Sequence, residues 1–162
     1  MTKTYTADDF LRSVREARIE TRRCEYRLEE LRAQCERTTA SYGGLAPGGA
    51  GDDHKDALLV AAAEQTEELH RRTLCYVRRI RAVEDFIASL PDVRQRTVLR
   101  LRYVDGLRWD AVREGMAEYG LNYEDRQVYR LHGAALAEAR TRFPAWAEEH
   151  PETTPKEEDA TT

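Results

Sequence analysis

Leu90-Pro91-Asp92-Val93-Arg94-Gln95-Arg96-Thr97-Val98-Leu99-Arg100-Leu101-Arg102-Tyr103-Val104-Asp105-Gly106-Leu107-Arg108-Trp109 decides the reading of this chain. Pro91 suits the first turn of a helix and Asp92 its positive end. Leu90, Val98 and Leu101 form a buried stripe. Gly106 then ends the helix in the left-handed conformation that glycine adopts at least cost. A second helix starts around Arg108-Trp109-Asp110, buries Val112 and Met116, and stops at Gly120. Asn122 is placed to cap a third, with Asp125 at the matching third position. Three short helices separated by glycines, with arginines outside, predict a helix-turn-helix over 90–142. Its last helix is free to enter a DNA major groove.

On a helical wheel the third helix gathers Val128, Leu131, Ala135 and Ala139 on one side, flanked by His132 and Leu136. The other side presents Tyr123, Arg126, Arg130, Gly133, Ala134 and Ala137, with Gln127 and Tyr129 at its edges. Arg pairs bidentately with guanine and Gln with adenine, so Arg126, Gln127 and Arg130 are the candidate base readers. The small residues let a duplex approach the helix backbone. Arg94, Arg96, Arg100 and Arg102 are candidate phosphate contacts, together with Tyr123 and Tyr129. His132 reads as a core-edge residue.

N-terminal to this domain, two long helices are expected over 6–89. In the first, beginning at Thr6, a seam of Phe10, Val14, Ala17, Thr21, Cys24, Leu28, Leu31 and Cys35 recurs at four- and three-residue steps. In the second the seam is Leu58, Ala62, Gln65, Leu69, Thr73, Tyr76, Ile80, Val83 and Ile87. Five glycines and Pro47 within 41–53 cannot continue a helix, and predict a flexible loop. An antiparallel hairpin is the economical fold; the alternative is that each helix pairs with a copy of itself. Small seam residues leave a thin two-helix core, so burial against the C-terminal helices or a second subunit is expected, with a homodimer as the assembly. After Phe143-Pro144 the chain turns acidic, and 143–162 is expected to be a disordered tail. The fold class is therefore all-α.

Charged residues make up 35% of the 162 and the net charge is −4, which argues against a generic polyanion binder. The deficit is uneven. Residues 89–145 hold ten Arg against eight acids, whereas 146–162 hold one Lys against six. Phosphate contact must then come from arginines on one face rather than bulk charge. Cys24, Cys35 and Cys75 form no CxxC pair and read as small seam residues in a reducing compartment. No His/Cys/carboxylate spacing suggests a metal, and no cofactor is expected. With no signal peptide and no membrane-length apolar run, the expected location is the cytoplasm. No nucleophile–base pair or P-loop points to an enzyme.

Leu90-Pro91, Arg96, Val98-Leu99, Leu101-Arg102-Tyr103 and Gly106-Leu107 together resemble region 4 of the sigma-70 family, the part that reads the promoter −35 element. With the long hairpin, its Ser/Gly/Pro break, and Gln127 to His132 followed by Ala135-Leu136, the chain is similar to phage and prophage transcriptional regulators of the RinA and ArpU kind. The resemblance spans Asp8 to about Arg142. It implies a DNA-binding regulator of late phage or mobile-element genes, with double-stranded DNA and RNA polymerase as partners. Arg108 stands where such sequences carry a Ser or Thr cap, Arg113 where they carry a small Ala, and the turn from Met116 to Gln127 is longer than theirs. Two other readings fit the same helices: a protein-interaction module binding RNA polymerase, and a small DNA-packaging subunit that forms a ring.

Overall fold

The computed structural model describes residues 5–41 and 50–153, with side chains at 5–40 and 53–153. It is all-helical, with no strand among the described residues. Helix α1 spans Ala7–Ser41 and α2 spans Ala50–Ala88. Three further helices follow: α3 (Val93–Leu99), α4 (Trp109–Glu118) and α5 (Asp125–Glu149). A π-helical stretch, Arg100–Val104, continues α3, and a 3₁₀ turn covers Pro151–Thr153. The expected loop over 41–53 is narrower than read, because α2 is already helical at Ala50. Residues 42–49, and the acidic tail beyond 153, lie outside the described residues.

Thr6 and Asp9 start α1: the Asp9 N–H donates to the Thr6 hydroxyl, and the Thr6 N–H donates to the Asp9 carboxylate. This reciprocal box satisfies two orphan donors at the helix start.

Compactness divides the chain into two units, Met1–Glu16 with Val77–Thr162, and Ala17–Tyr76. The division cuts across the expected boundary at 89/90. Within 17–76 the two helices of the hairpin run antiparallel. The Arg18 Nε donates to the Tyr76 hydroxyl at 2.9 Å, the Thr21 hydroxyl to the Arg72 carbonyl at 3.5 Å, and the Gln65 amide to the Cys24 carbonyl at 3.3 Å. Only Thr21 and Leu28 are buried among the described residues of this unit. Thr73 and Cys75 are exposed, so neither is a seam residue as expected.

The other unit holds the core. Phe10, Leu11, Val14, Val83, Phe86, Leu90, Val98, Leu99, Val112 and Met116 are sealed from solvent. Phe10 and Phe86 meet edge to face at 5.8 Å, and Phe143 and Trp146 pack on both within 5.2–5.5 Å. This cluster corrects the expected start of the disordered tail. Pro144 lies inside α5 on its exposed side, and the helix runs on to Glu149. A mid-helix proline costs about 3 kcal/mol, whereas burying two aromatic side chains contributes about 1.5–3 kcal/mol each. Burial wins. Asp8 adds a two-pronged pair with Arg140 (2.8 and 2.9 Å), which holds the Asp8 carboxyl below its ordinary range.

Asp92 is the N-cap of α3, one residue beyond Pro91, and accepts from the Arg94 N–H at 2.8 Å. Gly106 and Gly120 have φ of 69° and 75°, as their helix-ending role requires. At Gly120 the N–H groups of Gly120 and Leu121 return to the carbonyls of Ala117 and Met116, closing α4 in a Schellman motif.

Candidate nucleic-acid interface

The surface in question is the turn 119–124 with the helices on either side of it. Trp109, at the start of α4, is its anchor. Its ring lies 4.8 Å from both Tyr129 and His132 on α5, and the Arg102 guanidinium sits 4.9 Å above it. Arg102 Nη1 also donates to the Leu107 carbonyl at 2.8 Å. Tyr103, from the π-helical stretch, reaches His132 Nε2 through its hydroxyl at 3.1 Å. Burial, with Arg102 next in weight, pushes the His132 pKa down and so favours the neutral ring. Two segments, the π-helical stretch and the start of α4, are thus keyed to the first two turns of α5. Sequence reading identified His132 as a core-edge residue but did not use Trp109, whose bulk beside a glycine break was the available signal.

Among the candidate base readers, Arg126 and Arg130 are exposed, one helical turn apart. Exposed Gly133, Ala134 and Ala137 continue the face, and a Cβ added at Gly133 would meet nothing within 4 Å. Gln127 differs from expectation. It is the N3 residue of a capping box in which its Oε1 accepts from the Glu124 N–H at 2.9 Å, and the Glu124 carboxylate accepts from the Gln127 N–H. The N-cap of α5 is therefore Glu124 and not Asn122, and the Gln127 amide oxygen is committed to the helix start. Capping geometry selects Glu124 because a carboxylate at this position answers both an orphan N–H and the positive helix end.

The candidate phosphate contacts separate into two kinds. Arg96 Nη1 donates to the Leu90 carbonyl at 2.6 Å and Arg102 bonds the Leu107 carbonyl as described; both satisfy carbonyls of the connecting segments, after α2 and before α4. Their side chains hold the fold, which differs from the expected outward role. Arg94 grips Asp92 at 2.7 and 3.1 Å, with the Tyr123 hydroxyl beside it, and drives the Asp92 carboxyl down to about 2. Arg100 lies 3.7 Å from Glu84. Side chains of Arg94 and Arg100 are more than half exposed, and such ion pairs contribute about 0–1 kcal/mol, little enough for a phosphate to compete. Tyr129 is 51% exposed, with its ring tilted against Trp109.

Between α4 and the start of α5 is an open cleft of ≈ 850 Å³, lined by Arg113, Asn122, Tyr123, Asp125 and Arg126 among others. Arg113 and Asp125 face each other across it at 3.3 Å. The acidic start of α5 is therefore partly neutralised, a compensation that no local sequence pattern announces. Arg108 is the N-cap of α4 with no side-chain cap bond, and its side chain is 90% exposed. The face contains positive charge, small residues and hydrogen-bond donors, the chemistry that suits a groove lined by phosphates and base edges. Among the described residues no helix is long and apolar enough to cross a membrane, and no group of three or more metal-binding side chains occurs. No protein-family model, curated protein or solved structure matches the chain.

Proposed function

We propose that this protein is a non-enzymatic, sequence-reading DNA-binding regulator of the sigma-region-4-like phage and prophage kind, acting as a homodimer and in concert with RNA polymerase. The observation that carries this reading is the exposed row Arg126, Arg130, Gly133, Ala134 and Ala137 on a helix keyed to its neighbours by Trp109. In this reading α5 enters the major groove. Arg126 and Arg130 donate to guanine O6 and N7, each worth about 1–3 kcal/mol of discrimination. Gln127 acts through its amide NH₂ alone, since its oxygen holds the helix start. Arg94, Arg100, Tyr123 and Tyr129 contact phosphates, and Arg96 and Arg102 act only by holding the frame.

Fluorescence anisotropy on upstream DNA from the protein's own locus, over a salt series, tests this. Affinity is expected to fall steeply with salt, as counterion release demands. Arg130→Ala is expected to erase the preference for the native site over scrambled DNA, and Arg100→Ala to weaken both equally. No binding at low salt would sink the reading.

One feature favours a second reading, a protein-interaction module. A cleft of ≈ 490 Å³ beside α3 is lined by Ile87, Val93, Thr97, Leu101 and Tyr119, of which Val93 and Tyr119 are largely exposed. Capture of RNA polymerase subunits in the absence of DNA, abolished by Val93→Glu, would favour it.

A further inference from the structure

Helix α2 carries a second row of side chains besides the one that forms the hairpin seam. Asp56, Val60, Ala63, Glu67, His70, Leu74, Val77 and Arg81 recur at alternating four- and three-residue steps, and every one is exposed. Val60, Leu74 and Val77 are 58%, 43% and 54% exposed, an apolar content that a solvated helix face does not need. The steps are those of a coiled-coil seam. By helical geometry the row lies on the side of α2 away from Leu58, Ala62, Gln65 and Leu69.

The order of residues along the row identifies its partner. It is self-complementary about its midpoint between Glu67 and His70. Set two copies antiparallel across a two-fold axis at that midpoint, and Glu67 opposes His70, Ala63 opposes Leu74, Val60 opposes Val77, and Asp56 opposes Arg81. Acid meets base at the centre and at both ends, small meets large between them, and valine meets valine. A two-fold interface requires this property, because the same patch serves both sides. A parallel arrangement would set Asp56 on Asp56, Glu67 on Glu67 and Arg81 on Arg81, and like charges oppose pairing. The unit Ala17–Tyr76 also has reason to acquire a partner. With only Thr21 and Leu28 buried among its described residues, it has little core of its own.

We infer that the Val60–Val77 face of α2 is a self-association surface on which a second copy of this chain docks antiparallel, in the register that opposes Glu67 and His70. The inference rests on the dimer within the proposed function and names its surface, but it does not depend on DNA. Sedimentation velocity of the full chain without DNA tests it, with far-UV circular dichroism to confirm that each variant keeps its helix content. The wild type is expected to be a dimer and Leu74→Glu a monomer. Glu67→Arg is expected to raise the dimer dissociation constant about tenfold or more, because the two-fold axis repeats the Glu67–His70 contact and both copies lose their acid. Adding His70→Glu to Glu67→Arg is expected to restore it. A monomeric wild type overturns the inference, as does a dimer that survives Leu74→Glu. Failure of the double exchange to restore affinity overturns the antiparallel register. A dimer that survives Leu74→Glu leaves the DNA-binding reading standing, so the two proposals fail separately.

Discussion

Arg113 Nη1 lies 3.3 Å from Asp125 Oδ1, tying the middle of α4 to the first turn of α5. The pair is half-exposed, so its contribution to stability is about 0–1 kcal/mol. Its greater consequence is electrostatic. It covers a carboxylate on the helix start that the proposed function brings toward phosphate.

Arg113→Ala is therefore expected to leave the melting temperature nearly unchanged while weakening DNA binding at low salt. The double variant Arg113→Ala/Asp125→Asn should recover much of that loss, because the uncovered charge is gone. Anisotropy titrations of the three proteins check this; equal affinity for wild type and Arg113→Ala would remove any role for the pair in binding.

At Gly133 the fold and the proposed interface make opposite demands. A Cβ there meets nothing within 4 Å, so Gly133→Ala is expected to stabilise the protein by about 0.5–1 kcal/mol through helix propensity. Gly133→Leu should fold equally well yet weaken DNA binding about tenfold, or about 1.4 kcal/mol, by holding the duplex off the helix. Thermal melts and anisotropy separate the effects. Unaltered DNA affinity in the leucine variant would place the contact face elsewhere.

Trp146 lies beyond Pro144, in what reads as tail, but belongs to the core with Phe10 and Phe86. Trp146→Ala is expected to cost about 3–5 kcal/mol, as aromatic truncations in cores do. Truncation after Arg142 should be at least as damaging, whereas truncation after Thr153 should not lower the melting temperature. Denaturant unfolding of all three decides it, and a fully stable Trp146→Ala would mean the cluster does not hold the unit together.

His132 supplies a pH dependence of definite sign. Burial lowers its pKa below the ordinary 6.5. As pH falls past 6.5, the unfolded chain takes up the proton before the folded one, so stability is full above that value and declines below it. His132→Phe is expected to flatten this decline in a series of melts from neutral pH downward. An equally steep decline in the variant would assign the acid sensitivity to other groups.

Much of the fold was legible in local patterns. Phe10, Val14, Thr21 and Leu28 are buried at the spacing that marked a seam, and Val98, Leu101, Val112, Met116, Val128, Ala135 and Ala139 are buried as their periodicity required. Gly106 and Gly120 carry the positive φ that their position between helices demanded. These features depend on neighbours within one or two turns, where spacing is informative. The site was less legible. Arg96, Arg102 and Gln127 look like free surface groups in sequence, yet each answers a backbone group of the chain itself. Helix ends leave donors and acceptors unmatched, and which side chain reaches them depends on where the ends fall, often by a single residue.

By itself the sequence determined an all-α fold class and the glycine-punctuated run of short helices after Leu90, and it left the pairing of the two long helices open between a hairpin and a copy of the chain. Period, capping chemistry and glycine conformation are local properties. Only the tertiary structure decided that α5 continues through Pro144, that Glu124 and not Asn122 caps it, and which arginines remain outside. The first of those outcomes is a contest between a local preference and contacts distant in the chain; the other two turn on which nearby backbone groups are left unmatched where the helices end. The aromatic cluster of Phe10, Phe86, Phe143 and Trp146 outweighs a proline, and no window of neighbouring residues contains both sides of that balance.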